Sequence, residues 1–227
     1  MNLTKEQLFF WDCEWVPVSE TLLDLQMDHP LLYNAFLHQT NKWNSESIKT
    51  PEEWWVEKAH FYPEFCKIIC VSYGNFKDGK FEINSVYGKE EKMVLFRLPL
   101  LFDKVEAVGY TLCGYAIKRF DMPWLCKRMM ANGIKPPKSL FHYGKKPWDI
   151  NVFDLPEVWG QGNMQESFTP FELACAAIGF EGSKGELDGS KVAEAYWNGE
   201  LTKIKEYCEK DVQKTMELAT KLLELIP

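Results

Sequence analysis

An α/β fold on a mixed sheet flanked by helices is what the sequence predicts, and three observations carry that prediction. Short apolar runs of strand length, one followed by an Asp-Gly turn, occupy the first half, and segments of helical periodicity dominate the second. Hydrophobic residues at 46% and aromatics at 15% supply a sizeable core, which excludes a disordered chain, a collagen-like chain and a small disulfide-stapled module. At 227 residues, with no internal repeat, low-complexity tract or Pro/Ser-rich linker, residues 1–227 read as one domain.

The first strand is the apolar run 8–11, which leads into Asp12. Residues 18–63, with Trp43, Trp54 and Trp55, read as an insertion after it, and a second apolar run follows at 68–73. Asp78-Gly79 then joins that run to the alternating segment 81–87, a hairpin signal. A fourth strand is expected over 105–113. The helix expected over 121–131 should stop at Asn132-Gly133. Further helices are expected over 170–178, closed by Gly179, over 190–197, closed by Asn198-Gly199, and over 200–226.

Lys+Arg 26 against Asp+Glu 33 gives a formal net charge of −7, which by itself argues against a protein that coats nucleic acid. The charge is uneven, however. Residues 115–146 hold eight basic residues and one acid, Asp121, and such a local stretch is where a polyanion would run. The seven cysteines include no C-x-x-C pair, so neither a disulfide framework nor a structural zinc site is indicated, and small core residues are expected. No run approaches the ~18 apolar residues of a membrane span, and the N-terminus lacks a signal-peptide pattern. A soluble, cytoplasmic chain with no membrane partner is the expectation.

Three acidic pieces stand out. Asp12 and Glu14 share one face of a strand while Cys13 takes the other, and two carboxylates on one face suit a hard divalent cation. Chance alone gives about one such spacing among 33 acids, so the weight comes from the place at the end of a buried strand. Asp121 lies at a helix start, where an N-cap or first-turn acid is the plain alternative. Tyr207 and Asp211 lie four apart on the last helix; of nine tyrosines this is the only one with Asp at that spacing. Asp149 and Asp154, near a strand-to-helix junction, read as capping residues.

In order along the chain, these pieces resemble the DEDD superfamily of 3′→5′ exonucleases, within the RNase H-like (DnaQ-like) fold. The closest likeness is to stand-alone relatives of the family-B DNA polymerase proofreading domain. The first motif is Phe10-Trp-Asp-Cys-Glu-Trp-Val-Pro17, the second Gly114-Tyr-Ala-Ile-Lys-Arg-Phe-Asp-Met-Pro-Trp-Leu125, and the third Tyr207-Cys-Glu-Lys-Asp-Val212. The stretch 185–192 is also similar to the stand-alone members, whereas the insertion is poorly covered. The resemblance implies an RNase H-like mixed sheet and two divalent cations, Mg²⁺ or Mn²⁺, held by Asp12, Glu14, Asp121 and Asp211. Tyr207 would position the attacking water.

The branch that uses His in place of Tyr would have it at Glu206, so the tyrosine branch is indicated. The family often has Asn where this chain has Ala116, which bears on substrate contact. The implied partner is a nucleic acid with a free 3′ end, DNA favoured over RNA. Trp15 and Val16 are expected beside the terminal nucleotide by proximity to Glu14, with Lys118, Arg119 and Phe120 as further substrate contacts. An RNA exonuclease on the same fold and a catalytically weak nucleic-acid-binding module are the alternatives. Among the insertion's aromatics Trp43, Trp54, Trp55, Phe61 and Tyr62, core packing is favoured over base stacking for any one ring.

Overall fold

A computed structural model of the chain describes residues 3–45, 47–162, 169–182 and 187–227. Within them five strands form one sheet: β1 (Leu8–Pro17), β2 (Cys66–Lys77), β3 (Lys80–Tyr87), β4 (Thr111–Gly114) and β5 (Val152–Asp154). Their spatial order is β3-β2-β1-β4-β5. β1 pairs antiparallel with β2 and parallel with β4, so the sheet is mixed, as the sequence predicts. Asp78 and Gly79 both adopt positive φ, +48° and +76°, which gives the β2–β3 hairpin the turn twist that such ribbons favour.

Ten α-helices surround the sheet: α1 (Leu22–Asp28), α2 (Pro30–Trp43), α3 (Pro51–Lys58), α4 (Glu91–Leu95), α5 (Leu98–Val108), α6 (Asp121–Ala131), α7 (Leu155–Trp159), α8 (Phe171–Ile178), α9 (Val192–Trp197) and α10 (Leu201–Leu225), counted among the described residues. The period of two along β1 sends its side chains into two different cores. Phe9, Trp11 and Cys13 pack against α4, α5 and α6. Leu8 and Phe10 pack against α8 and α10, and Val16 meets α9 and α10. A bulge places Ile69 of β2 between the pairs Glu14↔Cys70 and Trp15↔Ile68, so Ile69 and Cys70 both face that second layer. Residues 18–63 build a third cluster, in which Phe36 contacts Trp43, Trp55 and Phe65 edge-on.

Two expectations about the elements are corrected. The segment 105–113 is not a strand throughout: α5 runs to Val108, Gly109 closes it at φ +86°, and β4 begins at Thr111. Leu98, Phe102 and Val105 recur at helical spacing and are buried on one face, which overrides the β-branched composition of 105–108. Nor does Asp12 end its strand, because β2 pairs with β1 as far as Pro17. The helices expected over 121–131, 170–178, 190–197 and 200–226 are present as α6, α8, α9 and α10 with their expected stops. Residues 185 and 186 of the stretch 185–192 lie outside the described residues.

Candidate active site

The cleft forms where β4 stops. β4 pairs with β1 only from Leu8 to Phe10 and ends at Gly114, so beyond that point β1 keeps β2 on one side and, among the described residues, no strand on the other. Glycine is required at the exit: a Cβ on Gly114 would lie 2.2 Å from Ile117 Cγ2 and 3.0 Å from the Trp11 carbonyl. The Cys13 N–H that a longer β4 would take donates instead to Asp121 Oδ1 at 3.2 Å, and the Cys13 thiol reaches the same oxygen at 3.2 Å. Asp121 opens α6, yet its carboxylate serves this strand and is buried.

Asp12 and Glu14 point to the opposite layer, toward α10. Cys208 Sγ lies 3.5 Å from Asp12 Oδ2, and one ligand atom from each of Asp12, Glu14 and Cys208 falls within 4.8 Å of the others. Tyr207 hydrogen bonds to Asp211 one turn along the same helix. A cavity of about 660 Å³ opens on Asp12, Glu14, Asp121 and Asp211 together, so the structure gathers the four acids from three separated segments.

Their electrostatics is one-sided. Burial first, then the charges of Asp121 and Asp211, push Asp12 well above the usual carboxylate range. Burial, Asp12 and Asp211 do the same to Glu14, and burial lifts Asp121 to about 6 although the two Cys13 bonds oppose the shift. Burial, Asp211 and Glu14 raise the Tyr207 phenol above its ordinary value, so it keeps its proton at neutral pH. Such a cluster of acids, with anions as neighbours, fits divalent cations and hard oxygen donors. Cys208 adds one soft atom beside them.

The loop that carries Lys118, Arg119 and Phe120 to Asp121 is fixed from β5. Asp154 is buried and accepts the backbone N–H groups of Lys118, at 3.1 Å, and Ala116. Burial raises it to about 7. Asp154 occupies the N-cap position of α7 without a capping bond, and Asp149 is the last residue of a 3₁₀ turn, so neither acts as the cap the sequence suggests. Ala116 itself sits at φ +61°, a left-handed conformation that Asn tolerates better than Ala.

The expected substrate contacts separate. Trp15 and Phe120 line the cavity. Val16 is fully buried among α9 and α10, so no side-chain contact with a substrate is open to it. Lys118 is held by Glu157 at 2.5 Å, and Arg119 is exposed with its guanidinium 5.3 Å from the Phe120 ring. Two further members of the basic stretch are also engaged: Arg128 with Glu91 at 2.6 Å and Lys127 with Glu64 at 3.0 Å. Sequence reasoning missed Cys208 beside Asp12, the loop-fixing role of Asp154, and Trp197 on the cleft wall. Cys208 had a signal in its place one residue after Tyr207; the other two had none.

A family model described as a predicted 3′–5′ exonuclease related to the exonuclease domain of PolB matches residues 59–223, a span that holds Asp121, Tyr207 and Asp211 and leaves Asp12 and Glu14 outside. No curated protein matches the chain. The structure is similar to that of the family B DNA polymerase from the hyperthermophilic archaeon Pyrobaculum calidifontis, with a TM-score of 0.54 at 18% identity. The match covers 95% of this chain and 24% of the polymerase, and at that identity it shows the fold, an RNase H-like mixed sheet flanked by helices.

Proposed function

Because the chain belongs to the family of predicted 3′–5′ exonucleases related to the exonuclease domain of PolB, we propose that it removes nucleotides from the 3′ end of single-stranded DNA with two divalent cations, Mg²⁺ or Mn²⁺. The observation that supports this most is the convergence of Asp12, Glu14, Asp121 and Asp211 on one cleft. Four buried or half-buried acids acting on one another would repel at neutral pH, and cations between them relieve that cost. We assign the cations to these four carboxylates. When bound, they supply a nucleophile at neutral pH and neutralise charge on the phosphate.

The chain's own residues do the rest. Asp121, pinned by Cys13, keeps the α6 side of the site in register with β1. Tyr207 stays protonated and orients the attacking water by hydrogen bonding, with Asp211 fixing its hydroxyl. Trp15 and Phe120 hold the terminal nucleoside. Attack by water at phosphorus breaks the bond to the 3′-oxygen of the preceding nucleotide, which leaves with a proton, and a nucleoside 5′-monophosphate departs. Residues 1–227 act as one exonuclease domain within which 18–63 is an insertion. Seven free, buried thiols suit a reducing compartment such as the cytoplasm, and no helix among the described residues is long and apolar enough to cross a membrane.

The test is a 5′-labelled oligonucleotide with a 3′-hydroxyl incubated with Mg²⁺ or Mn²⁺, with chelator and Asp12→Ala as controls. Stepwise shortening from the 3′ end is expected with metal and wild-type protein alone. Internal cuts or turnover in chelator would contradict the reading, and matched DNA and RNA oligomers measure the sugar preference.

A further inference from the structure

The aromatic residues of the insertion are not equivalent. Trp54 and Trp55 are 3% exposed inside their own cluster, and Trp43 and Tyr62 pack against it. Phe61 is 63% exposed, and Val56, on α3 shortly before it, is 78% exposed. Both line the cleft that holds the four acids. Burying a Phe side chain is worth ~1.5–3 kcal/mol, so a phenyl ring left in water on the cleft that holds the acids differs from apolar groups scattered singly over the surface.

Phe61 is also held in place. The Trp124 and Trp15 rings lie 4.2 Å apart between centroids, tilted by 32°, Trp15 Nε1 donates to the His60 carbonyl at 3.1 Å, and the His60 ring lies 4.0 Å from the Phe61 ring. Trp15 follows Glu14 directly, so this train of rings leads from the carboxylates to the rim. Trp197 stands among the residues of the α9 side of the cleft. Burial keeps His60 below its usual value, so the train carries no charge at neutral pH.

We propose that Phe61, together with Val56 on the same cleft, is a nucleobase-stacking platform by which the insertion binds the unpaired strand one or more nucleotides inward from the scissile bond. This rests on the exonuclease reading of the same cleft. A base in a duplex has both faces covered by its neighbours, whereas an unpaired base can lay one face on the ring, and every base has such a face. The platform therefore selects for single-stranded ends without selecting sequence. Pre-positioning by the Trp15–His60 bond lowers the ordering cost of that contact.

The experiment compares Phe61→Ala, Phe61→Trp and wild type on a short oligothymidylate and on the p-nitrophenyl ester of thymidine 5′-monophosphate, which carries one base. Phe61→Ala should raise KM for the oligomer about tenfold, the loss expected for one stacked base, with a clearly smaller change on the ester, and Phe61→Trp should restore the oligomer KM. Leu31→Ala, at an exposed position on α2, serves as the surface control. An oligomer KM unchanged in Phe61→Ala, or an equal loss on both substrates, overturns the proposal. Should wild type show no turnover at all, the exonuclease reading fails by itself, and anisotropy of the labelled oligomer with Ca²⁺ still decides the platform. A Kd about tenfold weaker in Phe61→Ala supports it, and equal Kd values overturn it.

Discussion

Asp121 Oδ1 accepts two hydrogen bonds from Cys13, one from the backbone N–H and one from the thiol, each at 3.2 Å. The two residues are 108 positions apart, and the contact joins the strand that carries Asp12 and Glu14 to the helix that carries the third acid. Cys13→Ala keeps the backbone bond and deletes the thiol donor. We expect a stability loss of about 1 kcal/mol and half-saturation of turnover at a metal concentration about tenfold higher. Cys13→Ser, which retains a donor, should recover most of the metal response. Metal titrations that coincide for Ala, Ser and wild type would show that the thiol does not position Asp121.

Metal and pH should act on stability together. Asp121 is raised to about 6 from 3.8, and Asp12 and Glu14 are raised with it. A carboxyl whose folded pKa exceeds its unfolded one adds no penalty below the unfolded value. The penalty grows as pH rises through the interval and stays in full above the folded value. In chelator Asp121 therefore lowers the melting temperature progressively between about pH 4 and pH 6, and Asp12 and Glu14, raised well above the usual carboxylate range, extend the fall to higher pH. Mg²⁺ at about a hundred times its Kd at pH 8 should restore about 2.7 kcal/mol there, and the same concentration should restore less at pH 5, where protons compete for the carboxylates. Thermal melts at both pH values with and without metal measure this; an equal metal shift at both would contradict it.

Tyr207→Phe removes the hydroxyl that bonds Asp211 and leaves the ring. A hydrogen bond to a charged acceptor is worth ~1.5–3 kcal/mol, so turnover should fall by about ten- to a hundredfold. Burial and three nearby carboxylates raise the phenol, hence wild-type activity should show no alkaline loss from its deprotonation up to pH 10. Single-turnover rates across pH test both parts.

Two positions at the exit from β4 toward α6 should respond in opposite directions. Gly114→Ala forces a Cβ to within 2.2 Å of Ile117 and should cost about 2–3 kcal/mol. Ala116→Gly relieves a left-handed alanine and, after the added chain entropy, should stabilise by about 0.5 kcal/mol. Urea denaturation of the two variants reads both signs.

What was legible in the sequence had a local cause. Asp78-Gly79, Gly179 and Gly199 mark turns and helix ends because their backbones need positive φ, and these signals lie in the chain itself. The four acids stood out in the sequence by type and spacing, and the fold brings them to one cleft. The segment 105–113 was misread since β-branched residues 105 and 108 resemble a strand until Leu98 and Phe102 join them on one helical face. Partners distant in sequence were hidden: Glu157 and Glu91, which engage Lys118 and Arg128, and the two N–H groups that engage Asp154. So was the difference between Trp55, buried, and Phe61, exposed, because which ring turns inward is settled by Phe36 and Phe65.

Each of the seven cysteines is free and buried, and they are spread over β1, β2, β4, α6, α8 and α10. The chain thus carries a distributed set of internal clocks. A water-soluble disulfide reagent reacts with a thiol only when the element around it opens, so the rate at each cysteine reports the opening free energy of that element. Cys13 and Cys208 sit beside the acids, while Cys126 and Cys175 lie in α6 and α8. Slower labelling at the first pair on addition of metal, with the second pair unchanged, would map where in the sheet the cation's grip is felt.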